Sequence, residues 1–125
     1  PLVTGVQTCA LPILQDRVCV VVDDMIDTGG TIIKAADTLF ENGAADVIVA
    51  ATHGILSEPA AERLSASRIS QVLVTNTLPI PEDRRFDKLT VLSIAPLLAK
   101  AIYEVFTDGS VTSMFELAER VHVPG

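Results

Sequence analysis

Asp23, Asp24 and Asp27 stand immediately before Thr28, Gly29, Gly30 and Thr31, a run whose residue types suit the holding of an anion beside hydroxyl groups. Gly29 and Gly30 lack side chains, so backbone amides can approach an anion closely. A helix starting just after them would direct its unsatisfied N–H groups and the positive end of its dipole at the same spot. The hydroxyls of Thr28 and Thr31 can add donors, and together these groups make a monophosphate cup. A nucleotide P-loop would need Gly-x-x-x-x-Gly-Lys followed by Ser or Thr. Here Gly30 is followed by Thr31, and the next lysine, Lys34, lies a helical turn further on, so ATP is not expected in this loop. The carboxylates would repel a phosphate that they touched. Sugar hydroxyls or Mg²⁺ are their natural partners, because carboxylates accept hydrogen bonds from the former and coordinate the latter. A phosphate cup with separate hydroxyl acceptors describes a site for a phosphorylated sugar. The bland reading of an Asp-rich glycine turn is a turn and a cap alone.

The flanking sequence argues against the bland reading. Val18 to Asp23 is an apolar strand that delivers the carboxylates at its C-terminal end, where ligands bind in open α/β sheets. If the strand continues through Asp23 and Asp24, their side chains point to opposite faces and cannot form an acid/base dyad. After the loop, Ile32, Ile33, Ala36, Leu39 and Phe40 share one face of a helix expected from about Thr31 to Gly43. Further strands are expected at Val47 to Thr52, Gln71 to Thr75 and Leu89 to Ser93. A second helix is expected from about Pro59 to Leu64, with Ser57 as a cap. A third carries Ile94, Leu97, Leu98, Ala101, Ile102 and Val105 at helical spacing, with Pro96 near its start and Gly109 after its end. The alternation predicts an α/β fold with a mostly parallel sheet of about four strands flanked by about three helices. Strands this continuously apolar are expected to be covered on both faces. The proline- and charge-rich run from Leu78 to Lys88 reads as an exposed loop.

The composition narrows the function classes. The chain has 125 residues, 49% of them hydrophobic, with no tryptophan, which fits one modest domain built on aliphatic strands and helices. A formal net charge of −7, with no basic run longer than Arg84-Arg85, argues against a nucleic-acid partner. No apolar stretch has the length of a membrane helix. Cys9 and Cys19, with only His53 and His122 elsewhere, have neither zinc-site nor disulfide spacing, so no metal ligand is assigned and a cytoplasmic location is expected. Cys19 reads as a small core residue. The run Val6 to Ile13 looks like the translation of a common sequencing-library adapter. Residues 1–15 are therefore expected to be an artefactual or unstructured leader, and residues 16–125 a domain incomplete on its N-terminal side.

Val21 to Thr31 resembles the phosphoribosyl pyrophosphate-binding motif of type I phosphoribosyltransferases and ribose-phosphate pyrophosphokinases. The flanking segments Ala51-Thr52-His53-Gly54 with Leu56-Ser57, Val74 to Thr77, Leu92 to Ala99 and Gly109 to Phe115 resemble the pyrophosphokinases in order and spacing. The resemblance covers about Arg17 to Glu116 and implies the C-terminal half of such an enzyme, with a phosphoribosyltransferase-type fold. It implies transfer of pyrophosphate from ATP to ribose 5-phosphate, giving phosphoribosyl pyrophosphate and AMP, with Mg²⁺ in the complete enzyme. Asp27, Thr28, Gly29, Gly30 and Thr31 would hold the sugar's phosphate end, and Asp23 with Asp24 would meet the ribose hydroxyls. The family's ATP pocket, magnesium-binding His and Asp, basic catalytic loop and pyrophosphate loop precede this motif and are not matched here. Lys34, Arg63 and Arg68 do not replace them, so no catalytic residue is assigned and the chain is expected to be inactive alone. The family assembles as dimers and hexamers. Ser110, Thr112 and Phe115 resemble an element of an allosteric ADP or phosphate site between subunits, and a packing role is their bland reading. His53 reads as a structural histidine before a nucleotide contact. Without the strands that would precede Val18 to Val22, that strand's edge is expected to be exposed and aggregation-prone. The competing readings are a purine or orotate phosphoribosyltransferase, which would bring a base-recognising hood, and a non-catalytic pyrophosphokinase-associated or regulatory protein, which would lack the basic loop.

Overall fold

A computed structural model describes residues 2–4 and 14–114. Two compact units are distinguished, Pro1–Leu92 and Ser93–Gly125.

The first unit holds a parallel sheet of five strands: β1 (Leu2–Thr4), β2 (Val18–Ile26), β3 (Asp46–Gly54), β4 (Gln71–Thr75) and β5 (Leu89–Leu92). They lie in the order β1-β2-β3-β4-β5, every neighbouring pair parallel. The four strands read from the sequence are all present. The additional one, β1, falls in the segment expected to be a leader and pairs Leu2, Val3 and Thr4 with Val20, Val21 and Val22. The open edge expected on β2 is thus occupied over those three residues, because an unpaired apolar edge takes up any extended segment within reach.

Helices α1 (Gly30–Glu41) and α2 (Ala60–Ala66) make the crossovers from β2 to β3 and from β3 to β4. Strands that succeed one another in one direction across a sheet, joined by right-handed crossovers, place every crossover on the same face. The burial follows that rule. Cys19, Val21, Val47, Val49, Ala51, Val72 and Val74 form the core with Ile32, Ala36 and Leu39 of α1 and Ala60 and Leu64 of α2. On the opposite face Val18, Val22 and Leu92 are exposed. The two helices of this unit, α1 and α2, thus cover one face of its sheet.

Helix ends follow the chemistry of their residues. After α1, Gly43 adopts φ 96°, its amide bonds the Phe40 carbonyl at 3.1 Å and the Ala44 amide the Leu39 carbonyl at 3.0 Å, a paired closure that needs a left-handed residue. Pro59 stands just before α2 rather than inside its first turn, and no side chain caps that helix. Ser57 contributes its carbonyl oxygen, which accepts the Ala60 amide at 2.8 Å, in place of the hydroxyl expected. Arg68 stacks on Phe40, 4.0 Å from the ring centroid. Loop residues after β4 bind back to this face: Arg84 Nη1 donates to the Ile55 carbonyl at 3.1 Å and Lys88 Nζ to the Ser67 carbonyl at 2.7 Å.

In the second unit, α3 (Ala95–Phe106) forms where the spacing predicts it, with proline in its first turn. None of its residues is buried. Leu97, Leu98, Ile102, Val105 and Phe106 give it an apolar stripe. Asp108, at φ 54°, takes the left-handed position after the helix.

Candidate phosphate-binding site

Strand β2 runs on through both aspartates to Ile26, three residues beyond the strand end read from the sequence. Its register with β3 holds throughout, pairing Asp23 with Ala51 and Met25 with His53. Alternation therefore sends Asp23 and Asp24 to opposite faces, as expected if the strand persisted. Residues 22–25 are all exposed and Ile26 is buried again, so the strand carries its acidic end out past the helical cover before the chain turns. The Asp24 amide donates to Asp23 Oδ1 at 2.7 Å.

The turn into α1 is made by Gly29 at φ 79°, in the left-handed region that glycine adopts without steric cost. The first intrahelical bond runs from the Ile33 amide to the Gly29 carbonyl, 3.0 Å. The amides of Gly30, Thr31 and Ile32 precede it and have no acceptor within the helix. No side chain caps this N-terminus, and no acidic residue lies in its first turn. The site is a cleft of about 250 Å³ lined by Asp23 to Ile32 without interruption. All of Asp23, Asp24, Asp27, Thr28, Gly29, Gly30 and Thr31 line it. Gly29 backs onto the core, for a Cβ placed on it would stand 3.3 Å from Cγ of Leu64, which is fully buried.

The carboxylates have no cationic partner: among the described residues the only ion pair joins Arg85 to Glu82, 3.5 Å apart. No three Asp, Glu, His or Cys side chains of the described residues converge as a metal-binding group. Magnesium normally takes one or two carboxylates together with water and substrate phosphates, so Asp23, Asp24 and Asp27 by themselves do not make a magnesium cage.

The far side of the strand end is fixed by neighbours. The Ile26 carbonyl accepts both the Ile55 and the Leu56 amides, each at 3.0 Å, and Leu56 is buried at φ 50°. His53 Nδ1 lies 2.7 Å from Thr77 Oγ1, a bond that ties the end of β3 to the segment after β4. In the second unit, Ser110 Oγ donates to Thr112 Oγ1 at 3.3 Å, while Phe115 lies outside the described residues. Sequence reasoning missed Leu64 as the neighbour of Gly29 and Arg63 as a neighbour of Gly30, because both arrive from α2 more than thirty residues along the chain and carry no local signal.

Residues 10–116 match the model of the phosphoribosyl synthetase-associated domain. The chain is 63% identical over 103 residues to a ribose-phosphate pyrophosphokinase of Streptomyces avermitilis, covering 82% of this chain and 32% of that protein. It is 63% identical over 100 residues to a ribose-phosphate pyrophosphokinase of Mycobacterium tuberculosis, covering 80% and 31%. The crystal structure of phosphoribosylpyrophosphate synthetase from Mycobacterium smegmatis superposes with a TM-score of 0.73 at 57% identity, over 79% of this chain and 33% of that one. The chain spans about a third of the length of the relatives it matches. No helix among the described residues is long and apolar enough to cross a membrane. The uninterrupted cleft at the end of β2 thus lies inside a matched region that covers most of the sequence, and the chain belongs to the phosphoribosyl synthetase-associated domain family.

Proposed function

We propose that this chain is the part of a ribose-phosphate pyrophosphokinase that holds ribose 5-phosphate, residues 16–125 being its C-terminal domain. In the complete enzyme the sugar's anomeric hydroxyl attacks the β-phosphorus of ATP, and AMP leaves. The observation that carries the reading is the uncapped start of α1 opening into the Asp23–Ile32 cleft. The free amides of Gly30, Thr31 and Ile32, with the Thr28 and Thr31 hydroxyls, supply donors for the 5-phosphate. Asp23 and Asp24, on the strand before the turn, accept from ribose hydroxyls, and Asp27 stands between the two sets. The site stands at the carboxyl end of β2, where ligands bind in open α/β sheets. The chain contributes binding and orientation. Its ATP, its Mg²⁺, its homo-oligomeric partners and a cytoplasmic setting belong to the same reading of the full enzyme, and no step here is assigned to the metal.

Calorimetric titration of ribose 5-phosphate into the chain tests this, beside an Asp27→Ala, Thr28→Ala double variant and a separate ATP titration. Saturable sugar-phosphate binding that the variant loses, with no comparable ATP binding, is the expected result. A folded chain that binds no sugar phosphate would refute it.

A further inference from the structure

The cleft holds three carboxylates and no basic side chain, since its lining runs from Asp23 to Ile32 without a lysine or arginine. A phosphate monoester near neutral pH carries a charge of about −1.5 to −2, so backbone amides alone would have to hold it against the carboxylates' field. One cation comes near. Arg63 Nη1 on α2 lies 3.9 Å from the point that a Cβ on Gly30 would occupy. Arg63 is exposed, and its guanidinium has no ion pair among the described residues, not even with Asp37, which shares its surface depression. That depression, about 540 Å³, meets the phosphate cleft at Gly30, which lines both.

Gly30 supplies an independent observation. Gly29 is explained by its left-handed backbone and the closeness of Leu64. Gly30 has neither reason: its φ is not positive, and a Cβ would meet only the far end of Arg63 at ordinary contact distance. Where the backbone accepts alanine, glycine costs stability through the greater freedom of the unfolded chain, and packing within the chain does not call for it. Its missing side chain leaves vacant the point of α1 that the Arg63 guanidinium approaches.

We propose that Arg63 is the cationic wall of the phosphate cup, reaching across Gly30 to the phosphate whose other oxygens take the α1 amides. This rests on the sugar-phosphate reading above. A planar guanidinium suits the task because it can present two N–H groups to one phosphate. Arg68 is the internal comparison: it shares the depression but stacks on Phe40.

The test is titration of ribose 5-phosphate and of inorganic phosphate into the full 125-residue chain at low and high salt, with Arg63→Gln, Arg63→Lys, Arg68→Gln and Gly30→Ala. Arg63→Gln is expected to weaken both ligands about tenfold at low ionic strength, the loss shrinking as salt screens the interaction. Arg63→Lys should recover part of it, Arg68→Gln should stay within about twofold of the parent, and Gly30→Ala should weaken binding without lowering the melting temperature. Equal losses from Arg63→Gln and Arg68→Gln would assign the effect to net charge and overturn the proposal. So would parent-like binding by Arg63→Gln when the Asp27→Ala, Thr28→Ala variant binds nothing, an outcome that leaves the sugar-phosphate reading standing. A parent chain that binds neither ligand overturns both.

Discussion

Gly29→Ala and Gly30→Ala place the same methyl group on adjacent residues and should move stability in opposite directions. At position 29 the alanine must hold φ near 79°, which costs an L-residue roughly 1–2 kcal/mol. Its Cβ would also stand 3.3 Å from Cγ of Leu64, a side chain with 0% exposure and nowhere to retreat. Overpacking of that kind adds about 1 kcal/mol or more, for a total loss of roughly 2–4 kcal/mol. At position 30 the nearest atom is 3.9 Å away and the backbone is ordinary, so alanine should gain about 0.4–1 kcal/mol by restricting the unfolded chain. Urea unfolding followed by far-UV circular dichroism measures the difference as a shift of midpoint at constant slope. If the two variants were equally destabilised, or Gly29→Ala matched the parent, the left-handed turn on Leu64 would be wrong, and with it the geometry of the cup.

Leu64→Ala, which empties the floor of the turn, should cost about 2–5 kcal/mol in the same assay and weaken sugar-phosphate binding as well. In a Cys9→Ser background, the fully buried Cys19 should react with a thiol reagent only after denaturant is added, and prompt labelling of the native chain would contradict the packing of β2. Removing residues 1–13 should strip β1 from β2 and raise concentration-dependent aggregation, read by light scattering. An unchanged scattering profile would show that the β1 pairing does not protect that edge.

The sequence made the site legible because its parts are local. An apolar strand, three carboxylates, two glycines and an amphipathic helix follow one another, and each has its own physical signature. The strands were found by their aliphatic runs, but β2 outlasted its expected end because pairing of Met25 and Ile26 with His53 and Gly54 overrides the weak strand preference of Asp23 and Asp24. Long-range facts were invisible. Nothing around Arg63 or Leu64 announces that α2 brings them beneath and beside the glycine turn. Periodicity located α3, but an apolar stripe reports a preference for cover and not what provides it.

Leu56 gives the end of β2 a latch. A bulky residue at φ 50° stores roughly 1–2 kcal/mol of backbone strain, retained here because the side chain is 1% exposed and its amide shares the Ile26 carbonyl with Ile55. The carbonyl between Ile26 and Asp27 is thus held by two amides of one loop, and the buried leucine anchors that loop. A ligand that stiffens the turn at Gly29 would slow amide exchange at Ile55 and Leu56 in concert, letting two residues outside the cleft report whether it is filled.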